Sequence, residues 1–503
     1  MSTSTAAIPS ANVLGQRVLF GASWSAIARV VIQLSALVAS TVVARRVPPY
    51  AFGIVGMATL ATGLISLFRD LGIASAVIQK RDLNQHLLSS LFWVSLAIGF
   101  AGAAVCFLSA PLAARLFREQ AVVPVVRVLS ISFLIGGFTN MHSALLNRSM
   151  IFKKISLIDI SSSILGLGVT VTLACLHVGV WSLVAGSLTN SVVSSMLLWV
   201  SSEWRPSFFF SVMEVRSVMN FGLNLSAFNI LNYFARNSDN AIVGRYLGST
   251  SLGFYQLAYN IMLFPVQGIA QVLSQVMFPA FSEIQHDNER FRRIYLRVCS
   301  SIALITFPLM TGAAILAQPL IRTVYGPRWV NVIPVLVILA PVGLVQSMVT
   351  TTGLLYTAKG RTDLMFKMGG ATSVLYVISF VVGLPWGIQG VALSYSTCVG
   401  LLLLPSLYIS FRLIDLRLID LWHALKGIIA STVLMGIVVA ASRNAVTARV
   451  HMPPVVDLLL FTTVGALVYA LTTFLQRLPV LFELFQMLVS SWLRLSRRAS
   501  ETA

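Results

Sequence analysis

In a chain this apolar, the residues equipped for chemistry are the ones that interrupt the apolar pattern. The stretch NILNYFARNSDNAIVGRYLG, residues 229–248, sets Arg236 and Asp239 three positions apart among asparagines. On a helix turning about 100° per residue, Asn229, Asn232, Arg236, Asp239 and Asn240 fall within an arc of about 100°. An earlier stretch behaves likewise, with Ser25, Arg29, Gln33 and Ser40 inside about 80°. Guanidinium forks grip phosphate oxygens bidentately, so two arginine-bearing faces suit an anionic ligand. Arg29, Gln33, Asn232, Arg236, Asp239 and Asn240 are therefore the candidate substrate-binding residues. The competing reading is that Arg236 and Asp239, at i and i+3, neutralise each other while the asparagines bond neighbouring helices.

Other interruptions carry less. FRDLG at 68–72 places Arg69 beside Asp70 near the end of an apolar run, a candidate gating or interfacial pair. Arg127 lies near the end of another run and is placed to snorkel. Trp24 and Tyr233, beside the two stripes, are candidates for stacking on a sugar ring. Most other tryptophans, Trp199, Trp204, Trp329, Trp386 and Trp422, flank apolar runs as interfacial anchors. Pro265, Pro308, Pro334 and Pro341 lie within runs as bending points. No catalytic residue, metal site or cofactor is expected. Cys106, Cys175, Cys299 and Cys398 have no zinc-ligand spacing and read as buried small apolar residues, and the six histidines are scattered. A Walker A loop is missing, which excludes ATP hydrolysis by this chain.

The elements that must position these residues follow from composition. Of 503 residues 57% are hydrophobic and only 10% charged, and mean hydropathy is +0.86. A soluble chain carries about a quarter of its residues charged, so this is an all-α polytopic membrane protein. Apolar runs long enough to span about 30 Å as helices fall near 17–45, 50–79, 86–110, 121–147, 154–177, 179–201, 217–246, 250–281, 294–318, 329–358, 362–384, 387–411, 422–442 and 455–476. That makes about 14 transmembrane helices. The first run lacks a preceding basic region, so it reads as a retained helix and not as a cleaved signal.

Most of the 35 lysines and arginines, among them Lys80, Arg81, Lys153, Lys154, Arg292, Arg293, Lys359 and Arg361, fall on the side of the two termini. Both termini are thus expected to be cytoplasmic. The net charge of +19 reads as this topology signal plus attraction to anionic lipid. Nucleic acid is not an expected partner, since no basic soluble domain exists to bind it.

The chain also repeats itself at an offset of about 200 residues. LFGASWSA at 19–26 parallels NFGLNLSA at 220–227, Arg45 matches Arg245 and Gly53 matches Gly253. Farther on, APLAARLF at 110 parallels QPLIRTVY at 318, and VGVWSLVAGSLT at 178 parallels WGIQGVALSYST at 386. Six helices per repeat is an even number, so the halves are parallel repeats, an arrangement transporters rock about a central cavity. The expected organisation is a disordered cytoplasmic N-terminus at 1–16, an N-lobe of six helices at 17–202, a cytoplasmic linker at 203–216 and a C-lobe of six at 217–411. Two extra helices at 412–476 and a basic cytoplasmic tail at 477–503 complete it.

Four stretches resemble a known family: AFGIVGMATLATGLISLFRDLGIASAVIQKRDL (51–83), ARNSDNAIVGRYLGSTSLGFYQLAYNIMLFP (235–265), QVMFPAFSEIQHDNERFRR (275–293) and LIRTVYGPRWVNVIPVLVILAP (320–341). They are similar to the polysaccharide-transport branch of the multidrug/oligosaccharidyl-lipid/polysaccharide exporter superfamily, over about residues 14–410. The resemblance implies a flippase of the bacterial inner membrane that moves undecaprenyl-pyrophosphate-linked oligosaccharide units outward by alternating access, for exopolysaccharide, capsule or O-antigen synthesis. It implies as partners an anionic lipid-linked oligosaccharide, membrane lipids and polysaccharide polymerase machinery. The alternatives are export of a drug or another lipid-linked precursor, and a membrane polysaccharide polymerase or ligase. The few intramembrane acids, Asp70, Asp159 and Asp239, argue against cationic drugs. The outward breaks, no longer than about ten residues, argue against an enzyme.

Overall fold

A computed structural model of the chain describes residues 11–70, 73, 77 and 83–477. The N-terminal residues 1–10 and nearly all of the expected basic tail lie outside the described residues. Among the latter every regular element is helical. In chain order they are α1 Ala11–Arg46, α2 Pro49–Asp70, α3 Gln85–Phe117, α4 Val122–Leu129, α5 Ile131–Arg148, α6 Phe152–Cys175, α7 Val180–Ser201, α8 Val212–Glu283, α9 Asn288–Ile315, α10 Ala317–Val324, α11 Val332–Ala358, α12 Thr362–Gly383, α13 Gly387–Phe411, α14 Leu418–Thr447 and α15 Pro454–Leu475.

Eleven stretches among the described residues are long and apolar enough to cross a membrane, and one of them, Thr362–Ile414, holds both α12 and α13. The helix α8 breaks at Gly248, whose φ of 83° and ψ of 176° are non-helical. Its two arms correspond to the runs expected near 217–246 and 250–281, so among the described residues each of the fourteen expected runs is helical. Gly248 stands where the repeat puts the joint Val47–Pro48 between α1 and α2: one half turns the chain with a proline, the other with a residue that tolerates positive φ.

The chain divides into two compact units, residues 1–253 and 254–503. Packing order repeats inside them. In the first, α3 packs on α5 and α6 on α7; in the second, α9 packs on α11 and α12 on α13. The repeat reaches individual torsions, since Gly179 and Gly387, aligned by sequence, open α7 and α13 with φ of 67° and 68°. A side chain would be strained at either position.

Helix contact is made in two ways. In the first unit small residues let backbones touch: a Cβ at Gly99 would stand 2.8 Å from the Phe133 carbonyl, and one at Gly166 2.8 Å from that of Gly186. Hydroxyls bridge elsewhere, between α9 and α11, with Thr306 Oγ1 donating to Ser347 Oγ at 3.2 Å and Tyr295 OH against Thr351 Oγ1 at 2.7 Å. Both are ways to hold helices where lipid supplies no hydrophobic drive. The α14–α15 pair is fastened by a mostly hidden ion pair, Arg443 Nη2 to Asp457 Oδ2 at 3.1 Å, while Arg443 Nη1 reaches the Ile315 carbonyl at the end of α9.

Several expectations change. Trp329 is fully buried, edge-on to Phe254 at 5.9 Å, because a 3-10 turn between α10 and α11 tucks it inward; Trp386 and Trp422 are exposed as interfacial anchors should be. Cys106 and Cys299 are buried, but Cys175, at the last residue of α6, is exposed and Cys398 only half-buried. Pro334 occupies the first turn of α11, where its missing N–H costs no hydrogen bond, whereas Pro308 and Pro341 lie inside helices, as do Pro111 and Pro405. The helix α1 starts at Ala11, earlier than expected.

Arg443→Ala should strand a buried carboxylate and lower stability by roughly 3 kcal/mol, read as thermal unfolding in detergent. The paired change Arg443→Met with Asp457→Leu should recover most of the loss.

Candidate substrate-binding faces

The two arginine stripes are positioned by different neighbours within the first unit. The helix α1 packs on α6, and the first arm of α8 lies along α2. There the Tyr233 hydroxyl donates to the Leu60 carbonyl at 2.8 Å and its ring covers Gly63. Closer to the break, two glycines related by the repeat allow the backbones to cross. A Cβ at Gly53 would strike the Ser249 carbonyl, and one at Gly253 the Pro49 carbonyl. Pro49 and Ser249 are themselves separated by the repeat offset, so each half offers the same glycine to the same position of the other. Ser249 Oγ also donates to Glu119 Oε2 at 3.1 Å, tying the start of the second arm to the turn after α3.

Along α8 the polar stripe is unevenly exposed. Arg236 is exposed, Asn240 half-buried, and Asp239 is 3% exposed, its Oδ1 accepting the Asn240 N–H at 2.7 Å. Asn237 Nδ2 returns to the Tyr233 carbonyl at 2.9 Å. A buried carboxylate behind an exposed guanidinium leaves the cation presented and the acid withdrawn. Buried capacity remains: Asn240 Oδ1 and Arg245 Nη1 are shielded from solvent with no hydrogen-bond partner. Such atoms are uncommon in folded proteins and invite a ligand or a water.

On α1, Arg29 is exposed and Gln33 half-buried. The ring of Trp24 is taken by the Lys153 ammonium of α6, 5.4 Å from its centroid, and Tyr233 spends its hydroxyl on Leu60, so neither lies idle for a sugar. Lys153 was legible in the sequence only as a topology charge. Trp24 stands about 7.5 Å along α1 from Arg29 and about 140° around it, so Lys153 adds its cation to a different face of the helix. Arg127 rests over the Phe107 ring at 4.9 Å. The side chains of Asn232, Arg69 and Asp70 lie outside the described residues. Among the described residues no three His, Cys, Asp or Glu groups converge to hold a metal.

One basic device at the helix ends repeats. Arg148, closing α5, donates from Nη1 to the Val77 carbonyl at 2.6 Å. Lys359, just past the corresponding helix α11, donates from Nζ to the Gln285 carbonyl and to Asn288 Oδ1 at 2.6 Å. Burial holds the Lys359 ammonium below the usual lysine range, and Asp415 partly restores it. Asn288 in turn donates to Asp415 Oδ2 at 2.7 Å, and Arg292 to the Asp415 carbonyl at 3.1 Å. Three loops at one end of the second unit are thereby joined.

A model of the polysaccharide biosynthesis protein family matches residues 42–334, more than half of the chain. The chain belongs to that family. It lies in the polysaccharide-transport branch of the multidrug/oligosaccharidyl-lipid/polysaccharide exporter superfamily, as the four sequence stretches indicated. The lipopolysaccharide biosynthesis protein WzxC of Escherichia coli (strain K12) is 31% identical over 74% of this chain and 76% of its own. The succinoglycan biosynthesis transport protein ExoT of Rhizobium meliloti (strain 1021) is 29% identical over 59% of this chain and 60% of its own. Among solved structures, the lipid II flippase MurJ in an inward closed conformation shares the fold, with a TM-score of 0.74 and 17% identity over 90% of this chain and 98% of that one.

Lys359→Met should cost roughly 1–2 kcal/mol by leaving the Gln285 carbonyl without its donor. Limited proteolysis of the 284–288 turn should report it first.

Proposed function

We propose that this chain is a flippase of the bacterial inner membrane, carrying undecaprenyl-pyrophosphate-linked oligosaccharide units outward for exopolysaccharide, capsule or O-antigen synthesis. The observation that carries the reading is the relationship, along three quarters of the chain, to a protein of lipopolysaccharide biosynthesis. The fold supports it, being that of a transporter with duplicated halves. Transport proceeds by alternating access of two lobes, 17–202 and 217–411, with both termini in the cytoplasm. The chain itself catalyses no covalent step; polymerase machinery acts on the delivered unit.

In this reading Arg236 and Arg29 grip the pyrophosphate through charge-assisted hydrogen bonds. Gln33, Asn232 and Asn240 complete the polar lining. Asp239, withdrawn behind Arg236, holds that arginine's face of α8 in place. Arg69 and Asp70 form a gating pair at the cytoplasmic end of α2. Membrane-embedded charge is expensive unless used, which sets these positions apart from the many loop cations.

Arg236→Ala should lower transport by about 10–100-fold, the equivalent of one lost charge-assisted hydrogen bond, with the protein still inserted at normal abundance. Arg236→Lys should keep part of the activity. Normal transport by the alanine variant would remove Arg236 from the site. Deleting the gene tests the function itself. Complete lipid-linked units should accumulate facing the cytoplasm while surface polymer disappears. Complete units on the outer face that fail to polymerise would mean that the protein acts after transport.

A further inference from the structure

Residues 202–211, between α7 and the start of α8, form no helix, yet they are held along their length. Gln85 Nε2 donates to the Arg205 carbonyl at 2.8 Å, and Trp204 Nε1 donates back to Gln85 Oε1 at 2.7 Å. The Ser207 N–H donates to Ser89 Oγ at 3.0 Å, Trp93 Nε1 donates to the Ser207 carbonyl at 3.0 Å, and the Ser211 N–H donates to Ser90 Oγ at 3.0 Å. All four anchoring residues, Gln85, Ser89, Ser90 and Trp93, come from the first turns of α3. The segment is a strap fixed across one helix end, with its backbone polar groups directed inward.

Its side chains, and those that open α8, do the opposite. Phe208 is 98% exposed, Phe210 55%, Val212 69% and Met213 82%. The arginine within the strap is turned back, Arg205 Nη1 donating to the carbonyls of Ser202 and Trp204. A strap that satisfies its backbone against the protein and presents large apolar side chains outward is built for an apolar surrounding.

We propose that residues 207–213 are an in-plane membrane anchor, with Phe208, Phe210, Val212 and Met213 seated at the boundary between lipid headgroups and acyl chains. Two features select lipid as the occupant. The strap joins two membrane-crossing helices over ten residues, so it cannot leave the membrane surface at which α7 ends. The last turns of α7 beside it are likewise apolar and exposed, with Met196 at 62% and Val200 at 81%. The indoles of Trp93 and Trp204, hydrogen-bonded within the strap, match the level at which aromatic side chains collect in membranes. The anchor fixes the level at which α8 enters the bilayer, and with it the depth of Arg236.

The test uses the full chain in nanodiscs, with the four native cysteines replaced by serine or alanine and one cysteine placed in turn by Phe208→Cys, Met213→Cys or Glu203→Cys, carrying an NBD fluorophore. At 208 and 213 the emission should be blue-shifted. It should be quenched several-fold more by lipids bearing a nitroxide at acyl carbon 5 than at carbon 12, and be protected from iodide. At 203, exposed on the polar side of the strap, iodide should quench freely. Water-like emission at 208 and 213, with free iodide access and no lipid quenching, would overturn the anchor. Protection from iodide without quenching by nitroxide lipid would also overturn it, since the cover would then be protein.

Discussion

Within a hydrocarbon layer no water is available to satisfy a backbone or side-chain polar group, and nearly every feature of this chain answers to that constraint. The fold spends its length on helices, which satisfy their own backbones. Where regular hydrogen bonding stops inside or near the membrane, a specific group takes over. The Val77 carbonyl finds Arg148, that of Gln285 finds Lys359, and that of Ile315 finds Arg443. In the sequence Lys359 reads only as a loop charge, but in the structure it is a local cap as well, which a count of charges per loop does not reveal.

The same constraint separates structural from functional charge. Arg443 and Asp457 meet directly and are mostly hidden, the behaviour of a fastening. Arg236 and Asp239 share a helix face, yet one is exposed and the other buried. Exposure of a cation within a span is costly unless it meets a water-filled cavity or an anionic ligand. Asn240 Oδ1 and Arg245 Nη1, buried on the same helix without hydrogen-bond partners, lie between that face and the Gly248 break.

Duplication explains the economy of the design. Glycines at 179 and 387 keep the same positive φ, and Gly53 and Gly253 make reciprocal close approaches. Elsewhere the halves have drifted: the joint at Pro48 became Gly248, and backbone crossing at Gly99 and Gly137 corresponds to hydroxyl bridging around Thr306 and Ser347. What was retained is the torsion or the helix spacing, and what drifted is the side chain that achieves it.

The helical class, the number of crossings, their approximate bounds and the repeat were legible in the sequence alone, because hydropathy and periodicity are properties of local segments and a membrane filters segments one by one. The arginine stripes could be found for the same reason: a charge in an apolar run stands out without knowledge of its surroundings. Tertiary structure alone decided which side of each stripe is presented, as with Asp239 turned inward beside an outward Arg236. It alone buried Trp329, exposed Cys175, placed Lys153 over Trp24, and folded residues 202–211 onto the start of α3. Those outcomes depend on which helices become neighbours, and residues more than a hundred positions apart, such as Gln85 and Arg205, carry no mark in the chain of the contact they will make.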